Sequence, residues 1–173
     1  LYDIVVSKLS LNGDSLLAST YVGGYNDDGI NTSAIFSLGA PLKYNYGDES
    51  RGEFVVAANN EYIVGSCTKS NDFPTTAGAL QSMMAGGIQD GVVFKIRNDL
   101  SSLAWSSYLG GADDDAVYDL LLDPAGGLYI AGGTNSTTFP TTQGVLHPNY
   151  CGGRADGFLT HLSGNGKIGR AHV

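Results

Sequence analysis

Apolar and polar residues alternate in short runs along this chain, with a period of two. In Asp90–Ile96, Val92, Phe94 and Ile96 fall on one side, while Val93, Lys95 and the following Arg97 fall on the other. That spacing predicts a β-strand, whose successive side chains point to opposite faces. Similar runs predict strands at about Ala116–Leu122, Leu128–Gly132, Tyr62–Ser66 and Leu103–Leu109. Asp123-Pro124-Ala125-Gly126-Gly127 separates two of them and reads as a turn by composition. No stretch carries a helical period.

The runs recur. Phe73-Pro74-Thr75-Thr76 returns as Phe139-Pro140-Thr141-Thr142, 66 residues on, and Gly86-Gly87 returns as Gly152-Gly153 at the same offset. Asp90-Gly91-Val92-Val93-Phe94-Lys95-Ile96 returns as Asp156-Gly157-Phe158-Leu159-Thr160-His161-Leu162, with an earlier copy at Asp3–Leu9. Ser19-Thr20-Tyr21-Val22-Gly23-Gly24 matches Ser106-Ser107-Tyr108-Leu109-Gly110-Gly111 at an offset of 87, so the first copy holds a 21-residue insertion between Asp28 and Glu53. On these alignments Val5, Ser7, Leu9 and Phe158, Thr160, Leu162 share the inner side with Val92, Phe94 and Ile96, and Lys8, Lys95 and His161 share one position on the other. Each repeat reads as four short strands. Four-strand units with glycine and aromatic punctuation predict an all-β fold, a β-propeller fragment of about two to three four-stranded antiparallel blades. A β-sandwich is the alternative.

Composition agrees with strands and narrows the partners. The chain has 173 residues with 25 glycines and 10 tyrosines, and 9 lysines and arginines against 17 acids give a net charge of −8. An acidic surface repels phosphate backbones, so no nucleic acid is expected. No apolar run approaches the roughly 20 residues of a membrane helix. The two cysteines, Cys67 and Cys151, match no metal or redox spacing, and Cys67 reads as a small buried hydrophobe.

Four segments carry a family resemblance: the Asp90 and Asp156 strands; Ser106-Ser107-Tyr108-Leu109-Gly110-Gly111 with the Asp residues that follow; Gly127-Leu128-Tyr129-Ile130-Ala131-Gly132; and Thr134-Asn135-Ser136-Thr137 leading into Phe139-Pro140-Thr141-Thr142. Together they resemble the SBBP repeat, a bacterial seven-bladed β-propeller repeat, over nearly the whole chain outside the insertion and the C-terminal residues. The resemblance implies a non-catalytic scaffold or binding and adhesion segment within a larger secreted or cell-surface bacterial protein. Its partners would be the remaining blades and an unidentified protein or carbohydrate. The alternative is part of a propeller enzyme, a hydrolase or lyase whose site lies mostly elsewhere.

The expected division is 1–22, the last two strands of one blade; 23–109, a complete blade with the insertion at about 29–52; and 110–167, the first three strands of another. Residues 168–173 read like a translated oligonucleotide adapter and are expected to be non-native, so Arg170 and His172 are set aside. The chain begins at Leu1 without a signal peptide, so an extracellular or surface location rests on the resemblance alone. In a meander, the long connections after the second and fourth strands share one rim. They hold the Phe-Pro-Thr-Thr segments, the Gly-Gly motifs and the Asp clusters, and loops are where binding concentrates.

Little else suggests chemistry. Asp27, Asp28, Asp113, Asp114 and Asp115 are the candidate calcium ligands, since calcium takes clustered oxygens. The plainer reading is that they accept backbone N–H bonds in turns. Phe73 and Phe139 are expected to plug the seams between blades. His147 and His161 lack a partner at useful spacing, and no nucleophile elbow or phosphate loop is present. No catalytic residue and no cofactor are expected, with calcium the one candidate ion.

Overall fold

A computed structural model describes residues 1–31, 42, 52–164, 166 and 168–172. Among them are ten strands: β1 (Ile4–Leu9), β2 (Leu16–Val22), β3 (Glu53–Val56), β4 (Tyr62–Thr68), β5 (Asp90–Ile96), β6 (Leu103–Leu109), β7 (Asp115–Leu122), β8 (Leu128–Thr134), β9 (Asp156–Leu162) and β10 (Ile168–His172). They form three antiparallel meanders, β1-β2, β3-β4-β5-β6 and β7-β8-β9-β10. Each strand pairs with its neighbour in sequence, so hairpin chemistry sets the register. The architecture is all-β, a run of propeller blades not closed into a ring. The inserted loop expected at 29–52 lies outside the described residues except at 29–31, 42 and 52.

Equivalent turns solve the same backbone problem with different residues. The turn between β3 and β4 puts Asn60 at φ 60°, where the β7–β8 turn has Gly126 at 88°. Asparagine tolerates this left-handed region better than most residues. The turn after the third strand uses Gly13 (75°) and Gly166 (78°) in two copies but Leu100 (61°) in the other. A leucine there is strained by about 1–3 kcal/mol. Its side chain is buried in the cluster that includes Val92 and Phe94, and burial of that kind opposes the strain.

The core lies between the sheets. Ile4, Val6, Ala18 and Val22 of the first sheet meet Val64, Val92, Phe94, Ile96 and Tyr108 of the second. Ile63, Val93 and Leu109 on the second sheet's other face meet Val117, Leu120, Leu128, Ile130, Phe158 and Leu162 of the third. β5 is therefore buried on both faces, and its alternation, clear in the sequence, no longer sorts core from solvent. The outer sheets keep one open face each. Val5 and Leu9 are more than half exposed, although their equivalents Val92 and Ile96 are buried. At the other end Leu121, Tyr129 and Leu159 are exposed, and their equivalents Val55, Ile63 and Val93 pack on the third sheet. A third cluster joins Cys67, Ala116 and Tyr118 to Leu42, whose carbonyl accepts the Tyr118 hydroxyl at 2.6 Å.

Residues 168–172, set aside in the sequence, pair with β9 as β10 and give the third sheet four strands. Backbone pairing needs little from side-chain identity, which is why composition gave no warning. The long connections between second and third strands are less free than their length suggests. Thr76 exchanges hydrogen bonds with Ser106 of β6, and Thr142 does the same with Ala171 of β10. Both connections blunt a strand edge that would otherwise be open.

Ile130 and Leu159 lie on neighbouring strands with opposite exposure. Ile130→Ala should cost about 2–5 kcal/mol in denaturant unfolding, whereas Leu159→Ala should cost less than about 1 kcal/mol.

Candidate functional site

The candidate aspartates separate into two loops with the same wiring. In the first, the Asp28 carboxylate accepts the Gly24 amide (2.8 Å), the Ser70 hydroxyl (3.1 Å) and the Thr68 hydroxyl. In the second, Asp115 accepts the Gly111 amide (2.6 Å) and the Ser136 hydroxyl (2.9 Å). The Ser70 and Ser136 amides in turn donate to Thr68 and Thr134. Each buried aspartate thus ties the loop entering one sheet to the end of the second strand of that sheet. Burial raises both carboxyls above the ordinary range, Asp115 to about 6.

The remaining candidates do not join them. Asp114 accepts the Ile88 amide at 2.7 Å, and Asp27 accepts the Tyr2 amide at 3.2 Å and lies 4.0 Å from the Lys69 ammonium. Asp113 is exposed. Among the described residues, no three of His, Cys, Asp and Glu are grouped to hold a metal ion.

The sequence reading passed over a different carboxylate. Asp90 opens β5, is fully buried, and accepts the Ala85 amide at 2.6 Å; burial, with Asp115 and Asp114 nearby, pushes its carboxyl up to about 7. Its copy Asp156 accepts the Cys151 amide at 2.5 Å. The signal was visible as Asp-Gly at the head of β5 and β9, but it served only to mark the period.

Phe73 and Phe139 sit where expected. Phe139 stacks on Phe158 at 4.3 Å in the seam between second and third sheets, and Phe73 lies about 6 Å from both Phe94 and Tyr108. The Tyr108 hydroxyl, pushed up to about 12 by burial, donates to the Ser70 carbonyl and accepts the Phe73 amide. Cys67 is buried with its thiol pushed up to about 12, Cys151 is exposed, and both are free. His147 is exposed, while His161 meets Asp123 at 2.9 Å.

The position shared by Lys8, Lys95 and His161 always finds an oxygen in a short turn. Lys8 reaches Asn98 at 2.6 Å, and Lys95 reaches Glu61 at 2.9 Å. Glu61 also accepts Arg97 (2.7 Å) and Asn59 (2.6 Å). Bonds from Lys95 and Asn59 hold its carboxyl down to about 2.

Residues 104–140 match the family model of the SBBP beta-propeller repeat. The match runs from β6 through β7 and β8 to Phe139-Pro140, so the matched segment straddles two sheets and contains the whole Asp113–Asp115 loop. Comparison with curated proteins finds no match. No helix among the described residues is long and apolar enough to cross a membrane.

Glu61 gives a test of the short-turn rim. Its folded carboxyl titrates below the ordinary value of 4.5. Its contribution is therefore present above about pH 4.5 and lost as pH falls toward about 2. Because Arg97 is more than half exposed and screened, the loss should be about 1–2 kcal/mol. Glu61→Gln should remove that part of the acid dependence of unfolding.

Proposed function

We propose that this chain is a non-catalytic part of a larger secreted or cell-surface bacterial protein, serving as a scaffold or as a binding and adhesion module. The observation that carries the reading is the repetition of polar bonding. The Gly24–Asp28–Ser70 set and the Gly111–Asp115–Ser136 set do the same structural work in two loops. Catalysis calls for groups converging on one reacting centre, whereas polar groups that recur with the fold and hold its loops favour a frame. The SBBP match supports a repeat role.

Binding would fall to the long-loop rim, where apolar side chains stand out of an otherwise polar surface. Tyr25, Met83 and Leu146 are each more than two-thirds exposed, and all lie on long connections. An aromatic and apolar surface beside carboxylates and amides suits a protein or carbohydrate ligand.

Two measurements test the reading. Chromogenic ester, phosphoester, glycoside and peptide panels should show no turnover by the purified chain. Turnover abolished by His161→Ala or Asp115→Asn would overturn the non-catalytic reading. A glycan array and a surface-protein extract should retain the chain through its rim, with retention reduced at least severalfold in Tyr25→Ser, Met83→Ser, Leu146→Ser. Retention unchanged by that triple variant would exclude the rim as the binding surface.

A further inference from the structure

Among the described residues, β1 pairs only with β2. Its copies are paired on both edges, β5 by β4 and β6, and β9 by β8 and β10. A strand edge left open presents its backbone donors and acceptors to any extended segment that can reach them.

That edge opens on an apolar groove. Ile4 and Val6 of β1 form one wall, and Phe54, Tyr62 and Val64 of the second sheet form the other. The groove continues an interface that already exists, since Ile4 and Val6 pack with Val64 in the core between first and second sheets. The next repeat shows how such a groove is filled. Phe54 corresponds to Leu120, 66 residues on, which is 5% exposed. A Cβ on Gly65 would lie 3.0 Å from Leu120 Cδ2 and 2.6 Å from Val117 Cγ1, so β4 passes directly over Leu120 with a glycine at the closest approach. Phe54 is 62% exposed, at a position the repeat otherwise buries.

The register of the filling strand is the same in both complete sheets. Gly65 stands opposite Val93 and Ile63 opposite Lys95, while Ala131 stands opposite Leu159 and Tyr129 opposite His161. The β1 counterparts of these partners are Val6 and Lys8. A strand laid against β1 in this register sets a small residue beside Val6 and a large apolar one beside Lys8. A second copy of β1 lacks that pattern, because Ile4, Val6 and Lys8 alternate on its groove side and none is small.

We propose that the groove between β1 and Phe54 binds an added antiparallel β-strand, an extended segment with a large apolar residue followed two places later by glycine or alanine. Backbone pairing along β1 supplies the affinity, and the small residue over Phe54 supplies the selection. The groove is built by strands and not by the long loops, so it stands or falls separately from binding at the rim.

The probe is a labelled synthetic peptide with the sequence of residues 127–134, Gly-Leu-Tyr-Ile-Ala-Gly-Gly-Thr, titrated into the intact chain by fluorescence anisotropy. It should bind saturably and slow hydrogen exchange of the β1 amides. Replacing its alanine, the counterpart of Ala131, by leucine should weaken binding roughly tenfold, the effect of overpacking a close contact. Phe54→Ser in the chain, a change at an exposed position, should weaken it severalfold. Absence of saturable binding would overturn the proposal, as would affinity unchanged by both substitutions. Concentration-dependent dimers that protect β1 without peptide, and that Phe54→Ser dissolves, would also overturn it by showing that a second copy fills the groove.

Discussion

Burial of one sheet against the next is the constraint on which everything else here depends. A four-stranded meander is too thin to shelter its own apolar side chains, so each blade relies on its neighbours for both faces. β5 shows the requirement met: Val92 and Phe94 are covered by the first sheet and Val93 by the third. Filling a position such as Val93 or Phe94 is worth roughly 1.5–3 kcal/mol relative to exposure. The same register positions in the outer sheets, Val5 and Leu159, go uncovered. Stability of this kind is nearest-neighbour in character, each junction contributing its own share.

Packing faces together sets the distance between blades but leaves their relative slide undetermined. The polar ties at the sheet ends supply that second coordinate. Asp28 and Asp115 each take a glycine amide from the entering loop and a serine hydroxyl from the second-strand end. The Phe-Pro-Thr-Thr connections act at the opposite edge. Their phenylalanines fill the seam and their second threonines bond the outer strand, so one loop closes both an apolar gap and an open edge. These loops are long because they span that distance, and their length is weak evidence for ligand contact.

Much of this was legible in the sequence, and the remainder had physical reasons to be hidden. Period-two alternation located the strands, and the 66-residue offset aligned Phe73 with Phe139 and Lys95 with His161. Alternation could not show that β5 would be buried twice, because burial depends on neighbours that a local pattern does not encode. Nor could it show Leu100 in a left-handed turn, where the other copies use glycine, since the compensating contacts come from distant strands. Among the Asp residues, adjacency drew attention to Asp27-Asp28 and Asp113-Asp114-Asp115. The carboxylates that approach Gly110 and Gly23 are 25 residues apart in each case, Asp90 with Asp115, both buried, and the exposed Asp3 with Asp28. Their local mark was a glycine, at Gly23 and Gly110, that looked like turn punctuation.

The phase of the matched repeat sharpens that point. The unit recognised at residues 104–140 starts on the last strand of one sheet and ends in the loop beyond the second strand of the next. β6, Gly110, the Asp113–Asp115 loop, Ser136 and Phe139 all fall within it, while β9 and its Asp156 fall outside. The blade is the unit of hydrogen bonding, and the junction is the unit of packing and polar fastening. Residues that serve the junction, Gly110 and Asp115 above all, therefore carry more of the architecture than their loop position suggests.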